Sequence, residues 1–324
     1  MTPDVVSVSA PARLHLGFLD PGGSSGRRFG GVGMAIESPV TRLSLSRSSE
    51  PRFEGPEAER ARSHFERLAA HLGIEGPHRL VVEEAMPAHS GLGSGTQLAL
   101  AVAAALRTLH NLPLEPATDA ARLGRGNRSG VGAGFFQGGG VVVDGGKGDS
   151  DRPPPIVARL PFPQDWRVIL VLDPRTEGFH GEAEIEAFRA LPAFAQGDSA
   201  EICRLVLMQA LPGLAEADIA AFGAAIAAVQ ERVGSHFAPV QGGVFTSPAV
   251  ARAMATLAAL GAHGIGQSSW GPTGFAFAAS ETQARRLVGE LRGRGEDGEL
   301  DIRIVAGRNR GAVIDRSRHF ADAG

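Results

Sequence analysis

Met86-Pro-Ala-His-Ser-Gly-Leu-Gly-Ser-Gly-Thr-Gln-Leu98 decides how this chain is read, because three alternating glycines and the hydroxyl residues Ser94 and Thr96 run straight into an apolar stretch. Thr96 to His110 is Ala/Leu-rich and predicts a helix of about four turns, capped in front by Ser94 and stopped before Asn111 and Pro113. Glycines 91, 93 and 95 let the backbone approach a ligand. The free N–H groups of the helix point into that loop with the positive end of the helix dipole. The hydroxyls of Ser94 and Thr96, with Gln97 beside them, complete an anion site in outline. It is neither a Walker loop, since no lysine follows the glycines, nor the dinucleotide fingerprint GxGxxG.

Upstream, Val5 to Ser9, Thr41 to Ser46 and Arg79 to Glu84 predict strands, with a Gly-rich loop from Pro21 to Gly33. Downstream, Gly138 to Asp144 reads as a buried strand. The Gly, Asp and Pro residues of 145–155 then mark a boundary between a first domain over 1–155 and a second over 156–324. The second half is expected to be α+β. Strands are predicted at Trp166 to Leu172, Thr273 to Ala279 and Asp301 to Ala306. Helices are predicted at Gly181 to Arg189, Ser199 to Leu211, Glu216 to Val233 and Ala249 to Leu260, with one more from the capping box Ser280-Glu-Thr-Gln283 to Arg294.

Composition narrows the classes. The 324 residues suffice for two domains, each with its own core, and the single Cys203 cannot form an internal disulfide, so a reducing cytoplasm is expected. There is no secretory leader and no apolar run near the ~20 residues a membrane span needs, so no membrane partner is expected. A net charge of −3 implies no polyanion-binding surface, hence no nucleic-acid partner. Lys147 is the only lysine; arginine carries the remaining positive charge, a residue suited to bidentate contacts with phosphate and carboxylate and also one that GC-rich coding favours.

Pro87 to Thr96 resembles the phosphate motif of the GHMP kinase superfamily, Pro-x3-Gly-Leu-Gly-Ser-Ser-x, with Gly95 in place of its second serine. Ala10-Pro-Ala-Arg-Leu-His-Leu-Gly17 is similar to that superfamily's first motif, and Gln267-Ser-Ser-Trp-Gly-Pro-Thr-Gly-Phe-Ala-Phe277 to its third. The resemblance implies a two-domain α+β GHMP kinase-like fold, with an N-terminal half like ribosomal protein S5 domain 2 and a ferredoxin-like C-terminal half. Kinases of this kind commonly place an acidic base after a Ser-Gly pair. Here Ser129-Gly-Val-Gly-Ala-Gly-Phe-Phe-Gln137 has glycine and alanine instead. Arg28-Phe-Gly-Gly-Val-Gly-Met34, Ser129-Gly130 and Gln267 to Thr273 resemble one branch, the β-ribofuranosylaminobenzene 5'-phosphate synthases of methanopterin biosynthesis. That branch joins phosphoribosyl pyrophosphate to 4-aminobenzoate, or to 4-hydroxybenzoate in some members, releasing pyrophosphate and carbon dioxide. The alternatives are an ATP-dependent small-molecule kinase and a non-catalytic ligand-binding relative.

On that resemblance Arg13, His15 and Ser129 are expected to be catalytic. Arg28, Gly91, Gly93, Ser94, Gly95, Thr96, Gln97, Gly130, Ser268, Ser269, Trp270 and Thr273 are expected to bind substrate, with Arg27, Arg125 and Arg128 as further candidate cations. Trp270 either stacks on the acceptor ring or packs at the domain interface. The resemblance also implies a homodimer and a Mg²⁺ ion sharing the pyrophosphate charge. Glu182, near His180 and Glu184, is its candidate ligand, against the reading of a solvated first helical turn. Val141-Val-Val-Asp-Gly-Gly146 reads as a core strand and turn.

Overall fold

The computed structural model describes residues 5–126, 128–150, 152–178, 186, 191–296 and 298–317. The strand expected at Val5 to Ser9 is the start of a longer one, β1 (Val5–Asp20), and Thr41 to Ser46 is the end of β2 (Phe29–Arg47). The two pair antiparallel over nearly their whole length. The expected loop from Pro21 to Gly33 is therefore shorter, because Phe29 to Gly33 lies in the ladder, where each backbone group finds a partner. After β3 (Arg52–Glu54), helix α1 (Ala58–Leu72) crosses to β4 (His78–Glu84), which runs parallel to β3 and antiparallel to β2.

Helix α2 (Ser94–Leu109) follows the glycine loop. From Gln97 onward all of its residues are buried, as expected for a helix that is apolar all round, and its alanines let β1, β2 and α1 pack close. Ser94 is not its cap. Gly93 holds that position with φ 79°, a left-handed conformation suited to glycine, and no side chain caps the helix. Helix α3 (Pro116–Arg122) leads to α4 (Val131–Gly138), which was not expected, and β5 (Val141–Asp144) then pairs with β2. Two strands from beyond residue 155, β6 (Ile156–Leu160) on β5 and β11 (Val313–Ser317) on β1, complete a seven-stranded sheet among the described residues.

The second sheet has the order β10-β7-β9-β8, built from β7 (Arg167–Leu172), β8 (His263–Gln267), β9 (Thr273–Ala278) and β10 (Asp301–Ala306). With its helices this is the βαββαβ order of a ferredoxin-like sheet, so the α+β expectation holds in both halves. Helix α5 (Gln196–Leu205) continues through a π-helical turn (Val206–Ala210) into α6 (Leu211–Ala215). Helix α7 (Ile219–Gln241) follows an Asp218 cap, starting three residues later than the expected Glu216, and ends beyond Val233. Helices α8 (Pro248–Ala259) and α9 (Glu281–Gly293), capped by Ser247 and Ser280, cover the second sheet. A single hydrophobic cluster joins Leu14, Leu16 and Met34 of the first sheet to Phe222 and Val229 of α7 and Phe275 of β9, so the halves share a core.

Candidate active site

The glycine loop is held from the second half of the chain. Ser268 Oγ donates to the Gly91 carbonyl at 2.8 Å and accepts from the His15 amide at 3.0 Å, while Thr273 Oγ1 donates to the Ser90 carbonyl at 2.6 Å. Gly91 has φ +83°, and a side-chain carbon there would stand 2.2 Å from the Ser268 carbonyl oxygen, so only glycine fits this crossing. Arg13 lies across Gly93, its Cγ 2.6 Å from where a side chain would begin, and its amide donates to the Leu92 carbonyl. Gln97 is buried, and its amide group donates to the Gly132 carbonyl, tying α2 to α4.

In front of the loop is a cleft of about 300 Å³ lined by Arg13, His15, Thr96, Arg125, Arg128, Ser129 and Ser269, together with Phe18 and the backbone at Gly132. Arg13 and His15 alternate along β1 and so reach the same side. Ser129 Oγ donates to Asp144 Oδ2 at 2.8 Å; the Gly130 amide donates to the same oxygen, and the Gly146 amide to Oδ1. Asp144 is fully buried, and burial pushes its carboxyl pKa up against the pull of those donors. His15 Nε2, Ser129 Oγ and Asp144 Oδ2 converge at Gly31, where a side-chain carbon would lie 3.0, 3.3 and 3.4 Å from them. Burial, then the Arg13 charge, pushes the His15 pKa down to about 3, so its ring is neutral at pH 7. Its Nε2 has no hydrogen-bonding partner among the described residues.

The other expected residues divide by position. Thr96, Ser129 and Ser269 bring hydroxyls to the cleft, whereas those of Ser268 and Thr273 are spent on holding the loop. Arg28 lines an adjoining cavity of about 470 Å³ with Phe29, Phe194 and His236, which Arg128 joins to the first. Arg27 is turned away, donating to the Gly145 and Gly146 carbonyls. Trp270 is buried against Phe237 at 4.6 Å and borders a space of only about 20 Å³, which is the interface packing rather than an open stacking face. Glu182, His180 and Glu184 lie outside the described residues.

Sequence reading missed two contributors. In the sequence Asp144 reads as the end of a core strand, although an acid followed by two glycines is also how a strand hands its carboxylate to neighbouring amides. Arg60 of α1 was not singled out because an arginine on an amphipathic helix is ordinarily a surface residue, yet its guanidinium stands at the start of α2. As for Mg²⁺, the described residues lining the cleft bring cations and hydroxyls but no carboxylate, and Asp144 behind Ser129 already accepts from three donors. Those described residues by themselves do not suit a magnesium ion.

Residues 59–139 match the GHMP kinases N terminal domain and residues 210–297 the GHMP kinases C terminal domain. A beta-ribofuranosylphenol 5'-phosphate synthase of Archaeoglobus fulgidus is 35% identical, the match covering 96% of this chain and all of that one. A protein of the same name from Methanothermobacter thermautotrophicus is 30% identical over 95% of this chain and 98% of its own length. Among solved structures, a homoserine kinase from Cytophaga hutchinsonii superposes with TM-score 0.70 at 19% identity, over 96% of this chain and 98% of that one. A mevalonate diphosphate decarboxylase from Staphylococcus aureus superposes with TM-score 0.69 at 15% identity, over 96% and 98%. At these identities the structures establish the likeness of fold.

Proposed function

Because this chain belongs to the GHMP kinase superfamily and, within it, to the family of beta-ribofuranosylphenol 5'-phosphate synthases, we propose that it is a decarboxylating pentosyltransferase. It joins the ribose 5-phosphate unit of phosphoribosyl pyrophosphate to a para-substituted benzoate, 4-aminobenzoate or the 4-hydroxybenzoate that would yield a phenol. The observation that carries this reading is the lining of the cleft in front of the glycine loop. Arg13, Arg125 and Arg128 stand with three hydroxyls, and no carboxylate faces it among the described residues. Such a site suits a departing polyanion better than the deprotonation of a hydroxyl nucleophile.

In the reaction the bond from the anomeric carbon to pyrophosphate oxygen breaks, and its electron pair leaves with pyrophosphate. The acceptor's ring carbon that bears the carboxylate forms the new carbon–carbon bond, pushed by the para substituent. The bond to the carboxylate then breaks, its electrons restore the aromatic ring, and carbon dioxide departs. The chain's part is to bind, orient and stabilise charge. Arginines and helix N–H groups are worth most where negative charge grows in the transition state, and losing one such donor typically costs ~10²–10³-fold in rate. Neutral His15 and the Asp144-anchored Ser129 offer hydrogen bonds without adding charge beside the developing ribosyl cation. The Arg28 cavity, walled by Phe29 and Phe194, suits an aromatic acid. Magnesium would enter with the pyrophosphate rather than on a carboxylate of the described cleft residues.

The test is incubation of the pure protein with phosphoribosyl pyrophosphate, Mg²⁺ and carboxyl-labelled 4-aminobenzoate or 4-hydroxybenzoate. Labelled carbon dioxide released only with both substrates is the expected outcome. No release with either acceptor, alongside ATP consumption with a hydroxylated metabolite, overturns the reading in favour of a kinase.

A further inference from the structure

We infer that Gly95 opens the first turn of α2 to a pair of arginines, Arg60 and Arg125, which grip the pyrophosphate end of the donor. This rests on the synthase reading and deepens it by fixing which end of the donor lies at the loop. A side-chain carbon at Gly95 would stand 2.6 Å from Arg60 Nη2 and 3.2 Å from Arg125 Nη1. The guanidinium groups thus occupy the space that the second serine of the superfamily motif would fill. Arg60 reaches there from α1, and Arg125 from the loop after α3.

Positive charge at Arg60 and Arg125 exceeds what carboxylates of the described residues neutralise. Arg60 meets the Glu57 carboxylate at 2.9 Å, but Arg125 pairs with no carboxylate among the described residues, and its buried Nε has no partner. Arg13 lies across Gly93 one turn of loop away, and the open N–H groups of α2 add the positive end of its dipole. The crowding is felt by its neighbours. Burial, then Arg125, Arg60 and Arg67, pushes the His64 pKa down to about 4, and burial with Arg60 lowers that of Arg125.

His15, 4% exposed with its Nε2 unpartnered, lines the same cleft and leaves a buried polar atom for a ligand to satisfy. The two guanidinium groups at Gly95, with the positive end of the α2 dipole beside them, offer donors in more than one direction, which suits two adjoining phosphates. Pyrophosphate is also the group on which charge grows as the anomeric bond breaks.

Calorimetric titration of the full chain with inorganic pyrophosphate, and separately with ribose 5-phosphate, tests the assignment. Arg125→Met and Gly95→Ser should each weaken pyrophosphate binding by about tenfold or more, and Arg60→Met by several-fold, with ribose 5-phosphate affinity within about twofold of wild type. Serine is a better helix former than glycine, so Gly95→Ser should keep or raise the thermal midpoint, separating lost binding from lost folding. Unchanged pyrophosphate affinity in both arginine variants, or weakening confined to ribose 5-phosphate, overturns the inference while leaving the synthase reading intact. A wild-type protein that binds neither ligand overturns the synthase reading and the inference with it.

Discussion

Asp144 concentrates much of the site's local order in one side chain. Its two oxygens accept from Ser129, Gly130 and Gly146, so the carboxylate joins the end of β5 to the start of α4 and aims the Ser129 hydroxyl. Asp144→Ala strands three donors in a fully buried place, and each buried unsatisfied donor costs about 1–3 kcal/mol, partly relieved by water. A loss of about 2–4 kcal/mol in urea unfolding is expected, with Asp144→Asn losing less because its amide oxygen still accepts. Equal stability of Asp144→Ala and wild type would remove this role. The sequence shows Asp144 only as an acid after three valines; its partner Ser129 is fifteen residues earlier and meets it only through the fold.

At the scale of elements, the glycine loop and α2 were legible because everything that makes them is local. The glycines, the apolar run and the stop at Asn111 all lie within one short segment. The cap was misassigned because Gly93 in the left-handed region and Ser94 as first helical residue carry the same sequence signal as a serine cap. Ser94→Ala should therefore change stability by less than about 0.5 kcal/mol, since no capping bond is lost, while weakening phosphoribosyl pyrophosphate binding. Gly91→Ala should act oppositely on the fold, because its new carbon meets the Ser268 carbonyl; a thermal midpoint several degrees lower is the expected reading. Helix α4 escaped notice for the complementary reason. Its glycines cost roughly 1 kcal/mol each against alanine, and packing of Phe135 and Phe136, both buried, overrides that propensity.

Across the whole molecule, the histidines set an acid limit on stability. Burial pushes the pKa of His15 to about 3 and that of His64 to about 4, and burial also lowers those of His78 and His110, whose Nε2 atoms lie 2.9 Å apart. Each folded-state value lies below the unfolded one near 6.5. Above that pH the groups are neutral in both states; as pH falls below it, the unfolded chain takes up protons that the folded one refuses. Between pH 7 and 4.5, His15 and His64 together should cost on the order of 3 kcal/mol after allowance for solvent near His64. Urea midpoints across that range should fall accordingly, and His64→Gln should flatten the slope; a midpoint independent of pH down to 4.5 would contradict these environments.

What the sequence by itself determined is what short-range chemistry writes. This includes the buried helix, the loop before it, the strands that flank it, the α+β class and the family to which the motifs belong. Only the tertiary structure decided which side chains share the cleft. Ser268 and Thr273 became fasteners of the loop and Trp270 part of the seam, Arg125 of the candidate cations reached the cleft where Arg27 did not, and Arg60 and Asp144 were brought to places none of their neighbours in sequence foretells. The physical reason is that helix and turn signals arise within a few residues, whereas a site is assembled by β-pairing and core burial that join distant segments, as in the bond from the His15 amide to Ser268, 253 positions apart.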